Sequence, residues 1–295
     1  MGRAKSRRCP VHAMESHDES ISSRDYTRLC GLIHAETGIC LGTERKTMLE
    51  LRIKRRLKAL GLDSYSAYCD YLFAHHGMKE EIVPLIDVVT TNKTDFFREA
   101  AHFDILTQRT LAEFAQRGGG RPFLIWSAGC STGEEPYTMA IVLSEYALTH
   151  PSFSFRILAT DISTTVLQKA ELGVYPSEVV EPVAPTLLRR YFMRSRERGA
   201  DRVRVAPELR RAVEFRRLNF MDTDYGVGAP MDAIFCRNVI IYFDRSTQEM
   251  ILRKLCGCLA PGGYMFVGHA ETLHDMSLPL TPVAPALYRR VNGRS

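Results

Sequence analysis

A chain of 295 residues, 45% hydrophobic and 25% charged, has the balance of an ordinary soluble globular protein, with room for one large domain or two smaller ones. No apolar run reaches about 18 residues, which excludes a transmembrane helix, and the basic N-terminus lacks the apolar core of a signal peptide. The formal charge is only +5, and the eight scattered cysteines include no C-x-x-C pair and no metal-type His/Cys spacing. They read as reduced thiols of a cytoplasmic protein, with no metal expected.

Residues 1–20 are polar and of mixed charge, a composition that predicts a disordered tail. Residues 21–90 carry helical periodicity and form an N-terminal helical domain. Leu49, Ile53, Leu57 and Leu60 mark one apolar face, with Arg45, Arg52, Arg55 and Arg56 along its flank. Between 41 and 60 seven basic residues face two acidic ones, a local excess of five that equals the charge of the whole chain. Such a face is either a solvated surface or a dock for an acidic partner or nucleic acid. The segment 91–100, Thr-Asn-Lys-Thr-Asp-Phe-Phe-Arg-Glu-Ala, is dense in small polar groups for a linker and is expected to contribute to a site. His75-His76 and the Cys256-x-Cys258 pair read as surface or structural residues.

From about 120 the pattern alternates. Strands are predicted at 123–128, 155–160, 213–218, 232–237 and 263–268, with helices at 134–147, 163–171 and 246–258. That βαβ rhythm predicts a doubly wound, mostly parallel, Rossmann-like sheet over 101–295. Residues 190–211 break the rhythm as an inserted antiparallel β-subdomain, and Ala286 to Arg290 reads as a last antiparallel strand.

The most informative stretch is Phe123 to Ile141, where an apolar strand meets the loop Gly129-Cys130-Ser131-Thr132-Gly133 and a helix opens. Gly129 and Gly133 permit close backbone approach to a ligand. Thr132 and Glu135 have capping-box spacing, and Pro136 suits the first turn. Glu134 and Glu135 at this helix end would repel a pyrophosphate, so a ligand with cationic groups, S-adenosylmethionine, fits better. The loop also spells G-x-S-x-G, and the order Ser131, Asp232, His269 matches a hydrolase triad. Against that, a hydrolase sheet needs several strands before the elbow, and the oxyanion loop is missing. Asp161, ending the second strand, is placed to bind both hydroxyls of a ribose. Asn219-Phe220 ends the third, where an adenine would lie. Cys236-Arg237-Asn238 brings polar groups to the carboxyl edge of a buried strand, with Tyr242 one turn later.

Four motifs in order, T-T-N-x-T-x-F-F-R-E, S-A-G-C-S-T-G-E-E-P-Y, A-T-D-I and I-F-C-R-N-V-I-I-Y-F, resemble the chemotaxis receptor methyltransferases, the CheR family. The resemblance runs over nearly the whole chain after residue 20. It implies a helical domain followed by a methyltransferase domain with an inserted β-subdomain. It also implies methyl transfer from S-adenosylmethionine to glutamate side chains on the cytoplasmic helices of chemoreceptors, leaving S-adenosylhomocysteine and glutamyl methyl esters. Carried over by motif, cofactor contacts fall on Asn92, Thr94, Arg98, Gly129, Glu135, Asp161, Asn219, Phe220, Arg237 and Asn238, with Arg98 and Tyr242 near the reacting groups. Cys130 and the longer N-terminal tail depart from the family pattern. A cytoplasmic monomer recruited to receptor arrays is expected, with no nucleic acid and no membrane insertion. The other readings are a cofactor-binding sensor or adaptor of the same fold, a serine hydrolase, and an RNA methyltransferase suggested by the basic helix.

Overall fold

The computed structural model describes residues 20–117, 120–194 and 201–291, so the expected disordered tail lies outside the described residues except for Ser20. Four helices come first: α1 (Ser23–Thr37), α2 (Lys46–Leu60), α3 (Tyr65–Phe73) and α4 (His75–Val89). Their ends follow local chemistry. The Ser22 and Ser64 hydroxyls accept from the backbone N–H groups of Asp25 and Ala67, and Gly38 and Gly61 close α1 and α2 in the left-handed conformation. Leu49, Ile53 and Leu57 are buried on the face of α2 that the spacing predicts, and this face packs with Leu29, Ile33, Tyr68 and Leu72.

A helix then runs from α5 (Ala101–Ile105) through a π-helical stretch (Leu106–Leu111) into α6 (Ala112–Arg117). After it come β1 (Phe123–Ala128), α7 (Glu134–Thr149), β2 (Phe155–Asp161) and α8 (Thr164–Leu172). The inserted unit holds β3 (Val174–Pro176), α9 (Pro185–Tyr191), β4 (Phe192–Arg194), β5 (Arg202–Val205) and α10 (Pro207–Ala212). The chain closes with β6 (Val213–Arg217), β7 (Met231–Cys236), α11 (Arg245–Cys258), β8 (Leu259–Val267), β9 (Leu280–Ala284) and β10 (Leu287–Arg290).

Seven strands form one sheet in the order β6-β2-β1-β7-β8-β10-β9. The first five are parallel, and β10 is antiparallel to both β8 and β9. The order reverses between β1 and β7, so their carboxyl ends diverge into a crevice there. Alternate side chains supply two cores. Trp126, Ile234 and Met265 face α11 and the N-terminal helices, whereas Ile125, Phe235 and Phe266 face α7 and the inserted unit.

The inserted sheet corrects the expectation for 190–211. It has the order β3-β5-β4 and begins at Val174, while Pro207–Ala212 is a helix. A three-residue strand has no periodicity to read, so β3 is invisible until β5 pairs with it.

Candidate functional site

The carboxyl edge of the sheet opens into a cavity whose empty space, open solvent at its mouth included, is about 970 Å³. Three groups of residues wall it. Thr37, Ile39, Leu41 and Arg45 come from the helical domain. Residues Val89–Thr94 and Arg98 come from the connecting segment. Gly129, Ser131, Glu135, Asp161, Asn219, Phe220, Arg237, Asn238 and Tyr242 come from the strand ends. Every residue that the sequence assigns to cofactor binding or to the reacting groups lines this one space.

Gly129 has φ +92°, and a Cβ there would lie 2.5 Å from the Val239 side chain, so only glycine fits this turn. Gly133 is required for a different reason than ligand approach. Its φ is +98°, and a Cβ would meet Ala170 and the Tyr175 hydroxyl at 2.9 Å. The capping box at Thr132 does not form. Gly133 is the N-cap of α7, and the Thr132 hydroxyl donates instead to Glu134 at 2.7 Å.

The Asp161 carboxylate accepts from the N–H groups of Ser131 (2.9 Å) and Ser163 (3.0 Å). Burial raises its pKa, with the N–H donors of Ser163, Ser131 and Ile162 pulling the other way. The carboxylate lines the cavity, where it can accept from a ribose hydroxyl. Glu135 accepts from the Ser127 hydroxyl on one oxygen and from Arg237 Nε on the other, both at 2.7 Å. The buried Arg237 also donates to the Arg98 carbonyl (2.8 Å) and to His102 Nδ1 (3.1 Å). Arg237 can only donate, so Nδ1 accepts and the His102 ring proton sits on Nε2. Asn219 donates to the Glu36 carbonyl of α1 at 2.6 Å, which ties the segment after β6 to the helical domain. Phe220 packs edge-on to Phe243 at the cavity wall. The Arg98 guanidinium donates to the Lys93 carbonyl at 3.0 Å, and the Ser131 hydroxyl to the Asn92 carbonyl at 2.8 Å.

Phe97, Glu99, Ser131 and Asn238 all have φ between +50° and +58° without being glycine. All four lie at or beside the cavity. Such strain survives only where surrounding contacts over-determine the backbone. Glu271, which sequence reading missed, supplies that for the turn after β7. Its buried carboxylate accepts from the N–H groups of Asn238, Val239, Ile240 and Gly268 at 2.6–2.9 Å. Burial raises its pKa, opposed by those four donors. The turn it holds carries Asn238 and Tyr242. Nothing local marks Glu271, which sits 33 residues from Asn238.

The arginines of α2 divide. Arg52 donates to the carbonyls of Val89 and Thr90 and to the Thr91 hydroxyl, bracing the connecting segment. Arg56 makes a two-point pair with the buried Glu81 at 2.7 and 2.8 Å. Both side chains, half-buried, are thus engaged by partners within the chain. Arg55 is exposed with Lys54 and Lys58, and Arg45 lies over the Tyr242 ring at 5.5 Å.

The hydrolase triad is not assembled. Asp232 sits at the opposite end of its strand, paired with Arg121 at 2.6 and 2.7 Å, and Ser131 bonds a carbonyl rather than a histidine. Among the described cysteines, Cys69, Cys130, Cys236 and Cys256 are buried and all are free. No helix among the described residues is long and apolar enough to cross a membrane.

A glycine turn after the first strand, an acid closing the second and a switch-point cavity lined by both charge signs define an α/β methyltransferase that binds S-adenosylmethionine. The chain belongs to the CheR methyltransferase family: residues 24–90 match its all-alpha domain and residues 92–284 its SAM binding domain. It is 43% identical over 257 residues to the chemotaxis protein methyltransferase of Salmonella typhimurium, covering 87% of this chain and 86% of that one. It is 40% identical over 271 residues to the chemotaxis protein methyltransferase of Escherichia coli, covering 91% of each. The corresponding protein of Borreliella burgdorferi is 35% identical over 276 residues.

Proposed function

We propose that this protein methylates glutamate side chains on the helical cytoplasmic region of chemoreceptors, forming glutamyl methyl esters that tune a chemosensory response. The observation that carries this reading is the character of the cavity wall. Among the described residues it presents Arg45, Lys93, Arg98 and Arg237 but no histidine or cysteine, and its acids Glu135 and Asp161 are already bonded to partners. Such a wall attracts an anionic acceptor and offers no free base to deprotonate an amine or alcohol.

A glutamate carboxylate, with a pKa of about 4.3, is ionised at neutral pH and needs no base. When bound, S-adenosylmethionine supplies a methyl group that an anionic oxygen can accept directly. The task of the protein is then positioning. Asp161 would hold the ribose, and Asn219 and Phe220 the adenine. Asn92, Thr94, Glu135, Arg237 and Asn238 would hold the amino-acid end beside Gly129. Arg98 and Tyr242 would orient the acceptor carboxylate by charge-assisted hydrogen bonds.

Methyl transfer from tritiated cofactor to chemoreceptor membranes tests the reading. The label should be released by alkali, as an ester is, and absent from RNA. Tyr242→Phe should lower turnover and leave cofactor affinity nearly intact. Alkali-stable label, labelled RNA, or cofactor binding without transfer would replace this function with another.

A further inference from the structure

Outside the cavity, three side chains from three parts of the fold converge. His34 lies in the last turn of α1, Cys40 follows in the segment before α2, and Asp244 is the N-cap of α11. His34 Nε2 is 3.3 Å from Asp244 Oδ2, and Cys40 Sγ is 3.6 Å from the same oxygen. All three donor atoms lie within 4.8 Å of one another.

Those separations carry information. Zinc bonds nitrogen and oxygen at about 2.0 Å and sulfur at about 2.3 Å, so tetrahedral angles put N and O ligands about 3.3 Å apart, and S and O about 3.5 Å. The observed distances agree with both. We propose that His34, Cys40 and Asp244 bind one divalent zinc-class cation, with water as fourth ligand.

The donor chemistry suits this choice. A thiolate and an imidazole favour a borderline-soft ion over magnesium or calcium. The other Asp244 oxygen is fixed by the Ser246 hydroxyl (2.6 Å) and the Thr247 N–H (2.9 Å), which leaves Oδ2 aimed at the cluster. His34 and Asp244 are 51% and 39% exposed at their side chains, so an ion can enter from solvent. A second group of donors, Glu99, His102 and His269, lacks this character. The Arg237 guanidinium lies 3.1 Å from His102 Nδ1 and 3.5 Å from Glu99, so a positive charge already stands there.

The position gives the site a consequence. Two ligands belong to the helical domain and one to the methyltransferase domain. Beside them the Cys40 N–H donates to the Tyr242 carbonyl at 2.9 Å, and Ile39 pairs with Phe243. A bound ion would tie the helical domain to the turn that carries Tyr242. Binding takes the Cys40 thiolate and so releases one proton.

Titration of the full-length, metal-free protein with cobalt(II) tests the site. One equivalent should give tetrahedral d–d bands and a thiolate-to-cobalt charge-transfer band, and zinc should abolish both. Cys40→Ser should lose the charge-transfer band, and His34→Gln should bind at least tenfold more weakly. A measurement on the unmutated chain covers variants that fail to fold: peptide-resolved alkylation should show zinc protecting Cys40 but not Cys30 or Cys258. Absence of saturable cobalt or zinc binding, cobalt bands that survive Cys40→Ser, or unchanged alkylation of Cys40 would overturn the proposal.

Discussion

Asp161 is partly buried, bonded on both oxygens to backbone N–H groups, and lines the cavity. If its carboxylate receives the two ribose hydroxyls, Asp161→Ala removes charge-assisted bonds of about 1.5–3 kcal/mol each. Calorimetry should find S-adenosylhomocysteine bound at least tenfold more weakly, and an unchanged dissociation constant in a folded variant would remove Asp161 from the ribose. Glu271 tests a different role, since it touches the backbone of the site rather than the cavity. In Glu271→Gln an amide nitrogen would face two N–H groups that now have an acceptor. Leaving two buried donors unpaired costs roughly 2–6 kcal/mol in all. Urea unfolding should show that loss, together with weaker cofactor binding through the displaced Asn238. A variant within about 0.5 kcal/mol of the original would mean that water replaces the carboxylate.

Among the elements, α2 combines two tasks on neighbouring positions. Its exposed residues Lys54, Arg55 and Lys58 lie within one turn of each other, whereas Arg52 and Arg56 face the connecting segment and Glu81. We propose that any docking on acidic receptor helices uses the first group, whose side chains are exposed. Reversing Lys54, Arg55 and Lys58 to Glu should raise the Michaelis constant for receptor while cofactor affinity stays unchanged. The effect should fade as salt shortens the Debye length from about 10 Å at 0.1 M to 3 Å at 1 M. Wild-type methylation by this variant at low salt would reduce the face to a solvated surface. Reversing Arg56 instead should cost about 3–5 kcal/mol of stability, because Glu81 would be left buried without its partner.

Across the whole molecule, stability against pH should report His102. Burial first, and Arg237 second, hold its pKa down at about 4 from 6.5, with Glu99 opposing and His269 adding. The unfolded chain thus takes up this proton near pH 6.5, and the folded chain only near pH 4. Between those values the unfolded state binds more protons, so stability falls as pH falls. The loss from this residue should reach about 2 kcal/mol by pH 5 and roughly 3 kcal/mol below pH 4. Urea titrations at pH 7 and pH 5 should show a smaller drop for His102→Gln than for the original chain. Equal drops would place the acid sensitivity elsewhere.

The strand-end motifs were legible because a parallel sheet delivers every carboxyl terminus to one edge. Gly129, Asp161 and Arg237 each follow an apolar run, so reading the runs locates the cavity. The apolar face of α2 was legible because a helix writes its own period into the sequence. Which of its arginines stay on the surface was not legible, since Glu81 and the carbonyl of Val89 lie 25 and 37 residues away. The hydrolase reading failed for the same reason, as chain order does not say that Asp232 and Ser131 lie at opposite ends of the sheet. Only the tertiary structure brought Glu271 under its turn and paired β3 with β5. Only it set Asp244 beside Cys40, 204 residues earlier in the chain. Sequence patterns record what a segment does within its own helix or strand, whereas hydrogen bonds and ligand sets depend on distances that exist only once the chain has folded.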